Sequence, residues 1–567
     1  MANSFNLTSD PWIKVIDRDS NQEKTVSMIE LFENAQKYRQ LAGEMRSQDL
    51  AVLRLLLSVL TTVYSRFDIK GDPYEWLKID SNTLQASPDI DDDSESDIEE
   101  DLLGTWAKLY KSGRFSEIVT QYLQRYSNRF DFFGEKPFYQ VTEADYDALV
   151  PEKKRVSAGK GTVAVKQINR QVSESGHTPS VFAPRSGELK NEIKLDELVR
   201  WIITYQNFTG VTDKTKIETK EKFSVSPGWL YKLNPVFADG QSLFQTLMLN
   251  LVLVNEEKEY SSQKPVWEYD SVLTYVSERK EQIMPTNLAE LYTAWSRILH
   301  IEWDENDQPT IFSAGLPMFG HEDAFLEPMT VWKRDKKTNR YKPAVKGPQS
   351  LGKAMWRNFG QYVNVTQSDD VHDPGIVGWL RLLKRQELIP QDSLLTLASV
   401  TLISDGNAAS QTPIAEVYDD MHINADVLFD KDTDKRIYWP QRIEEVITLT
   451  QQIGKDYWQF AADIGKIRNV DVRPFANQVS AEFYQRLNEP FREWLSGLTN
   501  QDDRDEKIIF WKKQLRKYVL DSARNVVNAS APRDVGGVLK DKGLVNIFTA
   551  NNHLRYRIQA DLDLKKG

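Results

Sequence analysis

Apolar residues recur every three or four positions through four stretches between residue 430 and the C-terminus. This spacing gives each stretch one apolar stripe on a helix, and four such helices bury their stripes most simply in a four-helix bundle. Pro490 interrupts the second stretch and is expected to kink that helix. The four predicted stripes are Ile443, Val446, Thr450, Ile453, Tyr457, Phe460 and Ile464; Phe475, Val479, Phe483, Leu487, Phe491 and Leu495; Trp511, Leu515, Tyr518 or Val519, Ser522 and Val526; and Leu544, Ile547 or Phe548, Asn551, Leu554 and Ile558.

The first 428 residues mix short apolar runs typical of strands with helical patterns. "WIKVI" and "SLLTLASVTLI" indicate strands. Helices are predicted at "SMIELFENAQKYRQL", "SQDLAVLRLLLSVLTTVYSRF", "KLDELVRWIITYQNF", "SLFQTLMLNLVLV" and "NLAELYTAWSRILH". The predicted fold class is therefore α+β, with a large mixed N-terminal domain with irregular long loops (residues 1–428) and a C-terminal four-helix bundle (residues 429–567).

The composition excludes several classes of chemistry. The 567 residues include no cysteine, which removes disulfides, thiolate zinc sites and cysteine nucleophiles and fits a reducing cytoplasm. The N-terminal segment has no signal-peptide pattern, and the longest apolar run is interrupted by Arg54 and is too short to span a bilayer. We expect a cytoplasmic protein with no membrane partner.

The net charge of −11 is concentrated in one segment. Nine acids lie within "DIDDDSESDIEED", residues 89–101, and the rest of the chain carries a net charge of −2. Such a run is expected to be a solvated, mobile insert, with a specific acidic docking site as the alternative. The acidic total therefore does not exclude a nucleic-acid partner.

Catalytic signatures are weak in this sequence. His321 in "HED" and His372 in "HD" are the best candidates for metal ligands, but neither lies in a His-x-x-x-His or His-Glu-x-x-His pattern. Phosphate-binding loops and nucleophile elbows do not occur, and the many carboxylates leave a glycosidase-like pair open without marking one. We predict no catalytic residue, metal, cofactor or small-molecule substrate.

Three loop-like stretches carry features of nucleic-acid binding. Residues 332–353 hold eight cations against one acid, with Trp332 and Tyr341 as stacking candidates; a plain solvated β-hairpin remains the alternative. Residues 208–222 place Gly210 among threonines and lysines, although a glycine there also fits a helix cap. Residues 173–188 present Phe182 between two prolines, either exposed as an anchor or packed in the core.

A fourth stretch follows the second predicted strand. "SDGNAASQTPIAE", residues 404–416, is longer than a simple turn requires and carries the uncharged amide of Gln411. An amide can both donate and accept hydrogen bonds.

These stretches, taken in order, resemble the large subunit of the type I-E CRISPR Cascade surveillance complex, the CasA family. The similarity covers essentially the whole chain. It is carried by "LTSDPWIKV", "QLAGEMRSQDLAVLRLLLSVLTTVY", "RFDFFGEKPFYQV", "GQSLFQTLMLNLV" and the four C-terminal helical stretches.

The resemblance implies a non-catalytic role in antiviral defence. A family member reads the protospacer-adjacent motif (PAM) of foreign double-stranded DNA, promotes duplex opening and R-loop formation, and recruits a helicase-nuclease. The implied partners are target DNA, the guide RNA with its 5′ handle, the other Cascade subunits and that helicase-nuclease. A metal-dependent nuclease and a helical scaffold without a DNA role remain the alternatives.

The resemblance also assigns roles to particular residues. The wedge that separates the strands corresponds to Asn407, Ser410 and Gln411, with serine at position 410 where the family has asparagine. The family's lysine finger has no clear counterpart in "SAGLPMFG". The remaining assignments are the minor-groove loop Thr209, Gly210, Val211 and Thr212; the DNA-backbone contacts Lys214, Lys216, Lys333, Arg334, Lys336 and Lys337; and the guide-RNA and subunit loop His177, Phe182 and Arg185.

Overall fold

The fold combines many helices with several small sheets, which confirms the predicted α+β class. The computed structural model describes residues 4–87, 95–159, 161–168, 192–208, 214–223, 227–254, 260–282, 284–363, 365, 369–404, 413–432, 434, 436–540 and 543–563. Its strands are β1 (Ile13–Asp17), β2 (Glu23–Val26), β3 (Tyr38–Leu41), β4 (Val236–Asp239), β5 (Arg297–Trp303), β6 (Pro309–Gly315), β7 (Trp332–Arg334), β8 (Tyr341–Pro343), β9 (Val371–His372), β10 (Leu394–Ser404), β11 (Pro413–Asn424), β12 (Val538–Lys540) and β13 (Gly543–Val545).

Helices account for more of the described chain than strands do. They are α1 (Met28–Asn34), α2 (Arg46–Tyr64), α3 (Glu95–Ser112), α4 (Glu117–Arg125), α5 (Glu143–Leu149), α6 (Val165–Ile168), α7 (Leu195–Phe208), α8 (Leu243–Asn250), α9 (Val272–Glu281), α10 (Leu288–Thr293), α11 (Phe359–Val363), α12 (Gly375–Arg385), α13 (Ala425–Leu428), α14 (Trp439–Arg468), α15 (Val472–Ser496), α16 (Arg504–Asn528), α17 (Pro532–Gly536) and α18 (Ile547–Leu562).

The chain divides into two compact units. Unit 1 comprises Met1–Gln349, Asp370–Leu382 and Leu397–Tyr418, and unit 2 comprises Ser350–Asp369, Leu383–Thr396 and Asp419–Gly567. Unit 2 therefore combines two earlier segments with the C-terminal helices. The division into residues 1–428 and 429–567 remains a prediction.

The sheets are small, with two or three strands each. The orders are β2-β1-β3, β11-β10-β4, β8-β7-β9, β5-β6 and β12-β13. β1 pairs antiparallel with β2, and its alternation directs Ile13 and Val15 into the core. β5 and β6 form a seven-residue antiparallel pair that runs from the Arg297–Gly315 pair to the Trp303–Pro309 pair.

Four long helices of unit 2 follow the predicted apolar stripes. Residues Ile443, Ile453 and Leu515 are fully buried. Trp511 donates its indole N–H to the Thr450 hydroxyl at 2.9 Å, so the one polar position of the first stripe has a partner. α15 continues through Pro490 as a single helix, so the proline does not end it. The four-helix region is formed by α14, α15, α16 and α18.

Two buried ion pairs cross the core of unit 1. Arg54, the residue that interrupts the apolar run of α2, forms two hydrogen bonds with Glu327 at 2.8 and 2.9 Å, and both side chains are fully buried. Arg66 makes the same bidentate contact with Glu268, which also accepts from the Tyr122 hydroxyl. A buried charge that loses its partner strongly destabilises the fold, so removing either member of such a pair is costly.

Several predicted elements differ in the structure. "YRQL", the end of the first predicted helix, forms strand β3 instead. "NLAELYTAWSRILH" forms the short helix α10 and then strand β5, because its apolar residues switch from helical spacing to the continuous run of a buried strand. Leu544 belongs to strand β13 rather than to the last helix, and it is half exposed. Residues 95–101 of the acidic run start α3, where acidic side chains favour the helix N-terminus.

Candidate nucleic-acid interface

The predicted wedge residues lie between two long paired strands. β10 spans 11 residues and β11 spans 12, and β10 lies between β11 and β4 in the sheet. The strand predicted at "SLLTLASVTLI" is therefore confirmed as β10. Asn407, Ser410 and Gln411 fall in the connection between β10 and β11 and lie outside the described residues. Their role as a wedge remains a prediction.

A carboxylate at the fourth position of β11 connects this strand to the first turn of α2. Glu416 accepts hydrogen bonds from the backbone N–H groups of Arg46 at 3.1 Å and Ser47 at 2.9 Å, and also from the Ser47 hydroxyl. The N-cap position of α2 is Met45, whose side chain makes no capping hydrogen bond. Glu416 therefore supplies the missing acceptor, and its negative charge suits a helix N-terminus.

Within the cation-rich stretch, residues 332–353, β7 and β8 form an antiparallel hairpin. A hairpin was the alternative interpretation of this stretch. Lys333 lies opposite Lys342, and Arg334 lies opposite Tyr341. Alternation along β7 places Trp332 on the inner face, where it is 1% exposed and packs edge-on against Phe325 at 5.5 Å. The prediction that Trp332 offers a stacking surface is therefore wrong.

The cations of this hairpin fall into two groups. Arg340 is paired with Asp323 at 2.6 Å, and Lys342 is paired with Asp335 at 3.0 Å and with Glu322. These contacts hold the pKa values of Asp323 and Asp335 below their usual range, because the hydrogen-bonded cations stabilise the carboxylates.

The second group has no such partner in the part of the chain that the structure describes. No carboxylate of the described residues lies within 4 Å of the ammonium groups of Lys333, Lys336 or Lys337, and all three side chains are exposed. Arg334 differs, because it is half-buried, with its guanidinium above the Tyr341 ring and hydrogen-bonded to the Tyr341 hydroxyl at 3.1 Å. Lys333, Lys336 and Lys337 are thus the hairpin cations best placed to meet phosphates.

The second predicted DNA-contact segment is only partly described. Thr209, Gly210, Val211 and Thr212 lie outside the described residues. Lys214 is exposed, whereas the Lys216 ammonium donates to the Phe223 carbonyl at 2.6 Å and lies 4.9 Å from the centre of its ring. Lys216 must give up these contacts to reach a phosphate, so Lys214 is the more accessible of the two.

The third predicted segment, with His177, Phe182 and Arg185, also lies outside the described residues. Its assignment to the guide RNA and a neighbouring subunit remains a prediction. Sequence reasoning missed the contact between Glu416 and Ser47, because no local pattern connects residues 369 positions apart.

The two histidines considered as metal ligands are both engaged in stacking. His321 stacks on Trp229 with ring centres 4.3 Å apart, and His372 stacks on Phe325 at 4.8 Å. Across the described ranges, no three His, Cys, Asp or Glu side chains form a group that could hold a metal ion. In the same ranges, no helix combines the length and apolarity needed to cross a membrane.

Comparison with known families identifies the chain. Residues 6–522 match the family described as CRISPR-associated protein Cse1 (CRISPR_cse1). The chain belongs to the Cse1 family. This membership confirms the resemblance to the type I-E large subunit that the sequence showed. No curated protein matches this Cse1 chain.

Solved structures show the same fold over the full length of this Cse1 chain. Cse1 from Thermobifida fusca has 21% sequence identity and a TM-score of 0.76, with 99% of this chain and 98% of that chain covered. Cse1 from Acidimicrobium ferrooxidans has 19% identity and a TM-score of 0.72, with the same coverage. A chain of a CRISPR RNA-guided surveillance complex has 14% identity and a TM-score of 0.65, with 98% and 99% covered.

Proposed function

We propose that this Cse1 chain is the non-catalytic large subunit of an RNA-guided Cascade complex that reads the protospacer-adjacent motif, opens the duplex beside it and recruits a helicase-nuclease. The observation that carries the proposal is the strand pair β10–β11, which flanks Asn407, Ser410 and Gln411 and is anchored to α2 through Glu416. A connection that carries the uncharged side chains of Asn407, Ser410 and Gln411 is suited to inserting between bases.

The energetic demand on such a wedge is modest. One DNA stacking step averages roughly 1.4 kcal/mol, and pairing with the guide RNA nearly balances the duplex that is opened downstream. The wedge therefore needs only to favour the first opened base pair. Gln411 provides an amide that replaces hydrogen bonds of the separated bases, and it adds no charge that would instead be drawn to phosphate.

The β7–β8 hairpin provides the electrostatic part of the proposal. Lys333, Lys336 and Lys337 carry charges that no described carboxylate neutralises, so they bind the DNA backbone without reading its sequence. Motif reading is assigned to Thr209, Gly210, Val211 and Thr212 at the minor groove. Because that groove distinguishes mainly A·T from G·C pairs, we expect several motif sequences to be accepted.

Reconstitution tests this function directly. The full chain is combined with guide RNA and the other Cascade subunits, and binding is measured to matched duplexes with and without a candidate motif beside the guide-complementary sequence. The proposal predicts that the chain assembles with the complex and that duplex binding depends on the motif. Assembly without motif-dependent binding would support a scaffold, and DNA cleavage by the isolated chain with divalent metal would support a nuclease.

A further inference from the structure

An exposed aromatic ring lies against the β7–β8 hairpin in unit 1. Phe325 is 38% exposed to solvent. Its ring centre lies 5.5 Å from that of Trp332, 5.4 Å from that of Tyr341 and 4.8 Å from that of His372. Single apolar residues are common on protein surfaces, but this one is held against three other rings. It therefore presents a fixed flat surface to solvent.

Strand pairing places the rings that Phe325 contacts on one face of the sheet. Trp332 in β7 lies opposite His372 in β9, and Arg334 in β7 lies opposite Tyr341 in β8. Directly opposite residues share a face, and so do residues two apart along a strand. On this shared face Trp332 is buried, whereas Tyr341 and His372 remain half-exposed. The face is therefore aromatic and partly open to solvent.

The turn before Phe325 fixes its position. The Asp323 backbone N–H donates to the Tyr341 carbonyl at 3.0 Å, and the Tyr341 N–H donates to the Asp323 carboxylate at 2.7 Å. Asp323 has a φ of 52°, a left-handed conformation that aspartate tolerates, and its carbonyl accepts from the Phe325 N–H at 2.9 Å. These bonds attach the turn to the edge of β8. Little further ordering is needed for the ring to receive a ligand.

Cations border this aromatic face. The Arg334 guanidinium lies 5.1 Å from the centre of the Tyr341 ring and donates to the Tyr341 hydroxyl at 3.1 Å. Lys336 and Lys337 are exposed in the turn that joins β7 to β8, and no described carboxylate lies within 4 Å of their ammonium groups. Single-stranded nucleic acid is bound by this combination, because its phosphates pair with cations while its bases stack on aromatic rings.

We propose that Phe325, with Tyr341 beside it, is a stacking site for an unpaired base of a DNA strand whose phosphates lie on Lys336 and Lys337. This rests on the proposed function, because it takes the β7–β8 hairpin as a DNA contact, and it adds a contact with a base. Stacking on an aromatic ring is tolerant of sequence, so any base can occupy the site. In an intact duplex each base is covered by its stacked neighbours. The site therefore favours a separated strand over a duplex.

Binding of single-stranded oligonucleotides to the isolated full chain tests the proposal. Fluorescence anisotropy measures the affinity for a short labelled oligothymidylate and for an oligomer of equal length in which every nucleotide is abasic. Both carry the same phosphates, so only stacking distinguishes them. We expect the oligothymidylate to bind about 5-fold or more tightly, the contribution of a single base–aromatic contact. Equal affinities would overturn the proposal.

Variants assign the difference to one ring. Phe325→Leu removes the aromatic ring but keeps an apolar side chain over Trp332, and it should weaken oligothymidylate binding about 5-fold or more while leaving abasic binding unchanged. Phe325→Tyr should retain the natural affinity. The control is Phe548→Leu, which removes a ring that is 51% exposed on α18. An equal effect of Phe325→Leu and Phe548→Leu, or no effect of Phe325→Leu, would contradict the site.

A lysine variant separates the stacking site from the wider role of the hairpin. Lys336→Ala/Lys337→Ala should weaken binding of both oligomers by the same factor, because it removes phosphate contacts alone. If this variant weakens binding but Phe325→Leu does not, the hairpin binds DNA and only the stacking site is wrong. If neither variant weakens binding, the hairpin is not a DNA contact, and the electrostatic part of the proposed function fails with it.

Discussion

The carboxylate of Glu416 accepts a hydrogen bond from the backbone N–H of Ser47 at 2.9 Å, and so joins strand β11 to the first turn of helix α2. The two residues are 369 positions apart in the chain. Glu416 follows the predicted wedge connection closely, within the first four residues of β11. The contact gives the strand that leaves the wedge a fixed support on a long helix of unit 1.

Removing this support should destabilise unit 1. Glu416→Ala leaves the N–H groups of Arg46 and Ser47 without their acceptor, and we expect the free energy of unfolding to fall by about 1–3 kcal/mol. Urea denaturation measures the decrease. The control is Glu305→Ala, an exposed acid in the turn between β5 and β6. Equal stability of the two variants would mean that the contact does not support the strand.

The two groups of cations on the β7–β8 hairpin should differ in DNA binding. Lys336→Ala/Lys337→Ala removes two charges that no carboxylate of the described residues pairs with. It should reduce the log–log salt slope of duplex binding by about 0.9 for each phosphate that these lysines neutralise in the natural protein. Arg340→Ala/Lys342→Ala removes the same formal charge from residues already paired with Asp323 and Asp335, so its slope should change less. Binding measured across a range of salt concentrations checks this. Indistinguishable slopes would show that pairing within the hairpin does not decide which cations meet DNA.

Removing one charge of the buried Arg54–Glu327 pair should destabilise the fold more than removing both charges. Glu327→Gln leaves the fully buried guanidinium of Arg54 without a counter-charge, and we expect the free energy of unfolding to fall by about 3–5 kcal/mol. The double variant Arg54→Met/Glu327→Met removes both charges and should cost less. Chemical denaturation of the three proteins provides the test. A double variant less stable than Glu327→Gln would contradict this account of the pair.

Stability should also depend on pH through Asp456 in α14. Burial, together with the neighbouring Asp561 carboxyl, raises the pKa of Asp456 to about 6. An unfolded aspartate has a pKa of about 3.9, so between these values the folded protein binds more protons than the unfolded chain. The contribution of this group therefore makes the fold less stable as the pH rises from about 4 to about 6.

Replacing the carboxyl with an amide should remove that dependence. Asp456→Asn should be more stable than the natural protein at pH 7, by about 1 kcal/mol, with the difference disappearing near pH 4. Thermal unfolding across this pH range measures it. The control, Asp463→Asn, changes a more exposed aspartate on the same helix. A constant difference between Asp456→Asn and the natural protein at every pH would refute the assigned titration.

Periodic patterns predicted much of the architecture. The stripes of α14, α15 and α16 and the strand β10 were predictable because each buries residues at the spacing that its own geometry dictates. Leu544 was placed in the last helix because it continues the apolar spacing of α18, although it belongs to strand β13, which pairs with β12. Local spacing alone does not show where one element ends and the next begins.

The sequence pattern could not predict contacts between residues far apart in the chain. Arg54 was recognisable as an interruption of an apolar run, but its partner Glu327 is 273 positions away. Trp332 was placed with the exposed cations because it precedes Lys333, whereas strand alternation sends it to the opposite face, against Phe325. The alternation of side chains along a strand could have shown that Trp332 and Lys333 lie on opposite faces. It could not have shown that Phe325 packs against Trp332.

The rate at which a complex with the Gln411→Ala variant opens a duplex tests the central claim most directly. The assembled complex is mixed with a motif-bearing duplex that carries a fluorescent base analogue at the first pair beyond the motif, and the opening rate is compared with that of an exposed control variant, Asn306→Ala. Removing interactions comparable to one stacking step, roughly 1.4 kcal/mol, corresponds to opening about 10-fold slower, with complex assembly and motif binding retained. An opening rate equal to that of the natural protein and of the control would contradict the account.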